Sequence, residues 1–406
     1  MAKDISAILE IGTSKIRCLV GELREDNSIS ILASIEEESK GIKKGLISNR
    51  DNAVISVRSA LKNIEKKYRK SIHSLVLVLS GGDTKCHYSD GIIRLADPDI
   101  NIPQEVYSED ILDVLKISKH TVLPKNRTKL HSFHQYFKVD DISNVIDPLG
   151  MTCEELMVQM LTIHGKQSVI ENFQKLILDI PIACSNAVYS GLASALAVTT
   201  EEMRSSGVLV IDIGGGTTDY CLYNDSLLKI CGSFTVGGDH ITNDIAAGLQ
   251  IPVRSAEELK IKDGSALSNL MERDRNISMP SDTFGFKGKM IRAVTLNTII
   301  EARMQEIYEL IKNDINRSFK DITLGTGILI TGGGSYLNGS RDLAQKVFNI
   351  PCLYGKPIDV HGLTSSQESS KYSSLIGSIR YINTLEKKID NPSIIQRILN
   401  LIWGKS

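Results

Sequence analysis

A short hairpin pattern occurs twice in this 406-residue chain, and it limits the possible folds more than any other feature. Residues 7–22 read AILEIGTSKIRCLVGE, and residues 209–224 read LVIDIGGGTTDYCLYN. Each copy has an apolar strand ending in a carboxylate, then Ile-Gly, a tight turn of small residues and a second strand. The copies begin about 200 residues apart, as expected if two similar lobes each contribute one hairpin to a common cleft.

Strand-like apolar runs recur along the whole chain and are separated by helical patterns. In residues 52–68 and 295–315 the apolar residues recur three and four positions apart, as on one face of a helix. The runs of strand length are ISAILEIG, KIRCLVGEL, SLVLVLSGG, GVLVIDIGGG and TGILITGGG. This mixture predicts an α/β fold with duplicated mixed-sheet lobes, and 406 residues are enough for several domains.

Composition argues against several classes of protein. With 42% hydrophobic residues, 23% charged residues and a formal net charge of -1, the chain lacks the basic footprint of a nucleic-acid binder. Its seven cysteines form no CxxC pair and are odd in number, which favours a reducing cytoplasm. The N-terminus has no signal-peptide pattern and no window reaches ~18 apolar residues, so we expect neither export nor a spanning helix.

The second hairpin carries a glycine triplet that suits a phosphate. Glycines allow positive φ and have no Cβ, so successive backbone N–H groups can close around an anion, and neighbouring threonines add hydroxyl donors. An isolated triplet would more simply be a flexible β-turn, but here Asp212 and Asp219 bracket it between two strands. The predicted ligands are Gly214, Gly215, Gly216, Thr217 and Thr218.

An acidic residue ends the first strand of each hairpin. Asp212 is placed to hold a hydrated Mg²⁺ beside the phosphates, because hard divalent ions prefer oxygen ligands and usually retain waters. A turn-capping aspartate is the alternative interpretation. Glu10 has the equivalent position in the first hairpin, and these two residues are candidates for positioning a metal-bound water. No general base is identified from the sequence.

The turn of the first hairpin supplies a second set of predicted phosphate ligands. They are Gly12, Thr13, Ser14 and Lys15. A lysine beside a turn of small residues can meet a phosphate as a point charge. The alternative is that Lys15 is a solvated strand residue.

A third glycine element, ILITGGGSYLNG at residues 328–339, runs from a strand towards a helix. Its spacing is not GxGxxG, which argues against a dinucleotide fold, but its backbone can approach a flat base or an α-phosphate. A tight strand-to-helix turn without a ligand is the alternative. The candidate residues are Gly332, Gly333, Gly334 and Ser335.

In this order and spacing, the three glycine elements resemble the phosphate 1, phosphate 2 and adenosine motifs of the actin, Hsp70 and sugar kinase superfamily. The resemblance implies an actin-like, two-lobed ATPase fold with ATP and Mg²⁺ as ligands. Residues 185–198 and 373–382 look like the two connections between the lobes. AEELK is similar to the superfamily helix whose Glu and Lys, here Glu257 and Lys260, reach the ribose and adenine.

Within that superfamily the sequence resembles the FtsA family of bacterial cell division proteins. The resemblance rests on LEIGTSK, on SGLASALAV before VIDIGGGTTD, on an insert after LSGG and on an apolar C-terminal tail. In the family the insert is the 1C subdomain, which is implied to mediate self-association into filaments and contact with other division proteins. Here residues 83–163 would have that role.

The resemblance also implies a division of the chain into subdomains. Subdomain 1A takes residues 1–82 and 164–197, 1C takes 83–163, 2A takes 198–245 and 318–382, and 2B takes 246–317. Residues 383–392 would be a linker and residues 393–406 an amphipathic membrane-targeting helix.

The last segment has the pattern expected of that helix. On a helical wheel its apolar residues fill one broad face, and about thirteen residues give roughly 20 Å, too short to span a core of ~30 Å. A helix docked on its own domain is the alternative. The predicted membrane contacts are apolar Ile394, Ile395, Ile398, Leu399 and Ile402, the interfacial Trp403, and Arg397 and Lys405 facing anionic headgroups.

The resemblance implies a partner and a location as well. FtsA relatives take the C-terminal tail of the tubulin-like FtsZ on subdomain 2B, where Glu301 and Arg303 are candidate contacts. A plain solvated helix face is the alternative. The implied role is to anchor FtsZ filaments to the cytoplasmic face of the bacterial inner membrane at the division septum, and to help recruit later division proteins.

Hydrolysis is less well supported than ATP binding. Glu10 replaces the usual Asp of phosphate 1, and Ser190 stands where Hsp70 has a glutamate that positions the attacking water. We therefore expect a nucleotide that clamps the lobes, with slow hydrolysis or none. The alternatives are an MreB- or PilM-like scaffold, a chaperone ATPase, or a small-molecule kinase, for which no general-base aspartate beside an acceptor pocket is identified.

Overall fold

Two sheets of six and nine strands, with helices packed against them, make up the fold. The computed structural model describes residues 5–81, 83–96, 102–119, 123–180, 182–268, 275–279, 288–319, 323–363 and 366–390. Within these residues the architecture is the α/β arrangement that the sequence predicts.

The first lobe begins with a meander of strands and a helix that covers it. Its elements are β1 (Ile5–Ile11), β2 (Lys15–Leu23), β3 (Ile29–Glu38), β4 (Ile42–Lys43), β5 (Leu46–Ile47), α1 (Arg50–Tyr68) and β6 (Ser74–Leu79). Asn49 is the N-cap of α1, and its side chain accepts a hydrogen bond from the Asn52 backbone N–H. Its apolar face, which includes Val57 and Leu61, packs on the sheet around Leu9.

An insert follows β6. It contains β7 (Lys85–Arg94), β8 (Gln104–Glu105), α2 (Ser108–Lys119), β9 (Arg127–Val139), β10 (Ile142–Val145), β11 (Thr152–Cys153) and β12 (Glu155–Lys166). The insert has a core of its own around Phe137, Val114 and Leu156. The chain then completes the first lobe with α3 (Gln167–Leu178), β13 (Ala183–Tyr189) and α4 (Ser190–Val198).

The second lobe uses most of the rest of the described chain. Its elements are α5 (Glu201–Ser206), β14 (Val208–Ile213), β15 (Thr218–Asn224), β16 (Leu227–Phe234), α6 (Gly238–Leu249), α7 (Val253–Asp263), β17 (Asn276–Met279), β18 (Lys289–Arg292), α8 (Ala293–Ser318), β19 (Gly327–Thr331), α9 (Ser340–Phe348), β20 (Cys352–Tyr354) and α10 (Ser373–Asp390). Between β20 and α10, the short strand β21 (Val360–His361) returns to the first sheet and pairs with β3. Its core lies between the sheet and α6, α8 and α9, around Ile211, Ile245 and Met304.

The two lobes repeat one topology. The first has strand order β13-β6-β1-β2-β3, and the second has β20-β19-β14-β15-β16. The three strands that come first along the chain, β1 to β3 in one lobe and β14 to β16 in the other, pair antiparallel. The other pairs in these two strand orders are parallel. The duplication that the hairpin repeat predicts is therefore confirmed. The strands of the insert join the second sheet through one pair, Gly232 and Lys85.

The helices α4 and α10 pack against each other between the lobes. Their closest approach is at Gly377, where a Cβ would stand 1.7 Å from the carbonyl oxygen of Ala193. The α10 helix continues to Asp390, so the described part of the segment predicted as a linker, residues 383–392, is helical. The linker role and the subdomain boundaries stay predictions, and the predicted membrane helix at residues 393–406 lies outside the described residues.

We expect Gly377→Ala to destabilise the protein by about 3 kcal/mol, because the added methyl group must push α4 and α10 apart. The matched control is Gly248→Ala in α6, where the Cβ would meet only the tip of the flexible Ile299 side chain. Urea unfolding of both variants measures the change. Equal unfolding free energies would show that the helices are not as closely packed as the structure indicates.

Candidate functional site

The turns of the two hairpins touch each other across the boundary between the lobes. Ser14 Oγ donates a hydrogen bond to Asp239 in the second lobe, at 2.7 Å from Oδ1 and 2.9 Å from Oδ2. A Cβ on Gly215 would stand 2.1 Å from Ser14 Oγ, and one on Gly216 would stand 2.2 Å from Thr13 Oγ1. The contact therefore requires glycine at both positions, and it brings the two predicted phosphate turns to one place.

The same local geometry builds both turns. In the first, the Gly12 N–H donates to Lys15 O at 3.0 Å, and in the second the Gly214 N–H donates to Thr217 O at 2.9 Å. Lys15 begins β2 with an exposed side chain. The equivalence follows from the paired strands on either side, which fix the ends of each turn at the same separation.

Asp239 is a residue of this site that the sequence analysis missed. It lies in the first turn of α6, whose N–H groups at Gly238 and Asp239 donate to the carbonyl oxygens of Gly214 and Gly215. A Cβ on Gly237 would meet Gly214 O at 2.5 Å, so this close approach also needs glycine. The paired glycines before a helical pattern were the available signal in the sequence.

Each connecting helix supplies a serine to the acidic residue of the opposite lobe. Ser374 on α10 donates to Glu10 Oε1 at 2.8 Å, and Arg17 Nη1 lies 3.1 Å from the other oxygen. Ser194 on α4 donates to Asp212 Oδ2. Both oxygens of Glu10 are thus hydrogen-bonded within the protein, which leaves Asp212 as the stronger candidate for holding a hydrated cation.

Asp212 lies at the end of β14 with part of its surface exposed. Desolvation raises its pKa to about 7, the Ser194 hydroxyl opposes that rise, and the nearby Asp219 and Glu10 charges add to it. Gly332, with φ of 82°, allows the third glycine element to approach, because a Cβ there would stand 2.1 Å from Asp212 Oδ1. The third glycine element therefore adjoins the strand end that leads into the second glycine turn.

The glycine element itself packs against the same strand end. A Cβ on Gly334 would stand 2.4 Å from a side-chain carbon of Ile213, whereas one on Gly333 would meet only Arg17 Nη2, at 4.0 Å. Ser335 is buried, and its hydroxyl donates to Gly332 O at 2.7 Å. Gly332, Gly333 and Gly334 are thus placed beside the site, while the Ser335 side chain holds the turn in shape.

Asp219 is buried behind the second turn. Ser190 and Ser80 donate to its Oδ2, the latter at 2.9 Å, and Ser80 Oγ also lies 2.6 Å from Thr217 Oγ1. Desolvation raises the pKa of Asp219, and the serine hydroxyls oppose the rise. The Ser190 hydroxyl is thus engaged as a donor to Asp219.

Thr218, one of the predicted phosphate ligands, is the first residue of β15. Its side chain is fully buried, and its hydroxyl donates to Val236 O at 2.8 Å inside the second lobe. Any phosphate would have to compete with that hydrogen bond, and the assignment of Thr218 as a ligand stays a prediction.

Glu257 and Lys260 lie beside the start of α6, close to the second turn. Lys260 Nζ is 2.7 Å from Glu257 Oε2 and donates to Gly238 O at 3.0 Å and Thr242 Oγ1 at 2.8 Å. Thr242 in turn donates to Glu257. Glu257 and Lys260 are therefore not an isolated pair on the helix surface. Lys260 is hydrogen-bonded to Gly238, and Gly238 in turn donates to Gly214 in the second turn.

The two residues proposed as partner contacts are held within the second lobe. Glu301 accepts hydrogen bonds from Ser268 and lies 3.5 Å from Lys346 Nζ. Arg303 forms an ion pair with Asp244 at 2.6 Å. A role in binding a partner stays a prediction, and any partner would have to compete with these contacts.

The residues present fit an anionic ligand. Gly215 and Gly216 have no Cβ to cover their backbone N–H groups, and the partly exposed Asp212 carboxylate could hold a hydrated cation. In the part of the chain that the structure describes, no group of three or more His, Cys, Asp or Glu side chains is arranged to hold a metal. A magnesium site would therefore depend on one carboxylate and on waters, and it stays a prediction.

No described helix is long and apolar enough to cross a membrane.

We expect Asp212→Asn to become more stable relative to the native protein as pH rises from about 4 to about 7. Because the folded pKa is about 7 and the ordinary value is 3.8, the folded state retains the proton longer than the unfolded chain, so native stability falls over this range. The difference should reach on the order of 2 kcal/mol, with allowance for partial exposure, and stay constant above pH 7. Urea unfolding of both proteins, in buffer without nucleotide or metal, measures this difference in unfolding free energy at each pH. If the difference did not change with pH, the desolvation of Asp212 would be contradicted.

Comparison with solved structures shows the fold. The PilM-PilN type IV pilus biogenesis complex superposes with a TM-score of 0.61 at 13% identity, covering 93% of this chain and 98% of that chain. MreB5 of Spiroplasma citri bound to ADP superposes with a TM-score of 0.55 at 15% identity, covering 95% and 98%. These actin-like neighbours confirm the two-lobed fold that the motifs predicted.

Comparison of sequences shows the family. The family model described as Cell division protein FtsA matches residues 209–377, and the model described as SHS2 domain inserted in FTSA matches residues 81–164. The Cell division protein FtsA of Pseudomonas aeruginosa is 30% identical over 386 residues, covering 95% of this chain and 90% of that protein. That of Neisseria meningitidis is 29% identical, covering 95% and 92%. The chain belongs to the FtsA family of cell division proteins.

Proposed function

We propose that this division protein binds ATP, with Mg²⁺, between its two glycine turns and uses the nucleotide to clamp its lobes together. The contact between the Ser14 turn and the Gly215 turn carries the proposal, because it places donors from both lobes around one point. That a solved neighbour, MreB5 of Spiroplasma citri, is bound to AMPPNP supports a nucleotide in this fold.

The nucleotide in this proposal has a structural role more than a catalytic one. Glu10 is held by Ser374 and Arg17, and Ser190 is a donor to Asp219. Neither residue is thus available to activate a water molecule. Entry of a phosphate between the turns would replace the Ser14–Asp239 hydrogen bond with bonds to the phosphate, so that the ligand itself would link the lobes.

We expect Gly215→Val to weaken ATP binding at least tenfold, because its side chain would fill the space between the turns, where Ser14 Oγ is 2.1 Å from the Cβ position. Gly248→Ala, at the far end of α6, is the control and should bind ATP as the native protein does. Calorimetric titration measures affinity, and circular dichroism checks folding. A folded Gly215→Val protein with unchanged affinity would remove the site assignment.

Attachment to a membrane is the second part of the proposal. The amphipathic pattern of residues 394–403 supports a helix that lies in the interface of an anionic membrane, so that the protein would anchor FtsZ filaments to the cytoplasmic face of the inner membrane at the septum. Self-association and recruitment of other division proteins would use the insert, and the FtsZ tail would bind near Glu301 and Arg303 on α8. Membership of the FtsA family supports these roles.

We expect deletion of residues 393–406 to release the protein from anionic vesicles while ATP affinity is unchanged. A matched pair refines the test: Ile398→Asp adds a charge to the apolar face and should reduce pelleting strongly, whereas Asn400→Asp adds the same charge to the polar face and should reduce it only slightly. Vesicle sedimentation with and without an FtsZ tail peptide measures membrane and partner binding together. Equal pelleting of all variants would refute the membrane anchor.

A further inference from the structure

A cavity of about 710 Å³ lies away from the cleft, at the junction of the insert and the second lobe. It opens where β7 and β16 diverge beyond their one pair at Gly232 and Lys85. Its volume is in the range of ~300 to 1,000 Å³ that small-molecule sites occupy, and such sites favour junctions between domains. The lining residues that matter are Tyr88, Gln135, Tyr136, Gln159, Lys229 and Phe319.

Gln135 in the wall of this cavity has unused hydrogen-bonding capacity. The residue is 6% exposed, and among the residues that the structure describes neither its amide oxygen nor its amide nitrogen has a hydrogen-bond partner. Buried polar groups are nearly always paired, so an unpaired amide calls for an explanation. Because Gln135 lines the cavity, a ligand bound there could supply the partners that its amide lacks.

Two β-bulges contribute residues to the wall of the cavity. Between β9 and β12 the register shifts so that Gln135 and Tyr136 lie opposite the single residue Gln159. Between β15 and β16 the register also shifts, and Lys229 is the extra residue. Bulges redirect side chains and occur often beside functional sites. Both bulges here fall on residues that line the same cavity.

The chemistry of the wall defines a class of ligand. Gln135 would match a flat edge that offers one donor and one acceptor side by side, as amides and nucleobases do. The rings of Tyr88, Tyr136 and Phe319 line the cavity and give flat apolar surface.

The cationic residues of the wall are Lys85, which already lies 3.7 Å from the Asp83 carboxylate, and Lys229. Lys229 is partly buried, with Asp225 as a nearby opposite charge, and Tyr88 OH donates to the Lys229 carbonyl oxygen at 2.6 Å, which holds the bulged backbone in place. The other acidic residue of the wall, Asp314, already accepts a hydrogen bond from Tyr220. An ammonium group that is partly desolvated favours an anionic ligand group beside it.

We propose that this cavity is a binding site for a small planar heterocycle that carries an amide-type edge and an anionic group, the chemistry of a nucleoside monophosphate. Gln135 binds the edge of the heterocycle, the aromatic rings flank its faces, and Lys229 meets the anionic group. Because the site joins the insert to the second lobe, a bound ligand would tie these two parts together.

The test uses the full chain with AMPPNP in excess, so that the cleft does not take up the probe. Adenosine, guanosine and uridine monophosphates are titrated by calorimetry, with ribose 5-phosphate as a probe that has the anionic group but no amide-type edge. We expect at least one monophosphate to bind and ribose 5-phosphate to bind much more weakly. Failure of all three monophosphates to bind would overturn the proposal, as would binding that AMPPNP abolishes.

Two substitutions locate the binding. Gln135→Leu and Lys229→Met should each weaken binding of the monophosphate roughly tenfold, while Gln167→Leu, which removes an exposed amide at the start of α3, should leave it unchanged. Gln135→Leu should also raise the melting temperature of the ligand-free protein, because an apolar side chain replaces an unbonded buried amide. Unchanged affinity in both cavity variants would overturn the proposal, and Lys229→Met decides alone if Gln135→Leu does not fold.

Discussion

The contact between the two glycine turns is the constraint on which the rest of this structure depends. Ser14 reaches Asp239 across the lobe boundary, and Gly215 and Gly216 come so near to the first turn that any Cβ would collide with Ser14 or Thr13. Neither lobe could make this contact alone, because each supplies one turn at the end of its own hairpin. The duplicated topology therefore serves to present two equivalent turns to each other.

The helices α4 and α10 hold the lobes in the orientation that this contact needs. Each gives a serine to the acidic strand end of the other lobe, Ser194 to Asp212 and Ser374 to Glu10. The insert is joined to the same region by His131 on β9, which accepts a hydrogen bond from the Tyr189 backbone N–H and lies 2.8 Å from Tyr381 OH on α10. Burial lowers the pKa of His131 to about 3, so the ring is neutral and its Nδ1 carries the proton.

Much of the fold and part of the site were predictable from the sequence. The glycine turns, the strands around them and the duplication follow from local patterns, and the structure confirms them. Asp239 was missed although the paired glycines before its helix were a signal, whereas the serine donors were not predictable, because a serine in an apolar helix gives no sign of the strand end that it will meet. The hydrogen bond from the Thr218 hydroxyl to Val236 was not predictable either, since residues in a turn and in the strand after it look alike in sequence but face different sides of the sheet.

The sequence by itself determined where the chain can turn tightly and which residues alternate between core and surface, because backbone freedom at glycine and side-chain periodicity are local properties. Only the tertiary structure decided which turn meets which, that Asp212 is desolvated beside Asp219 and Glu10, and that Gln135 is buried without a partner beside a cavity. These features depend on distances between residues far apart in the chain, which packing fixes and local sequence does not.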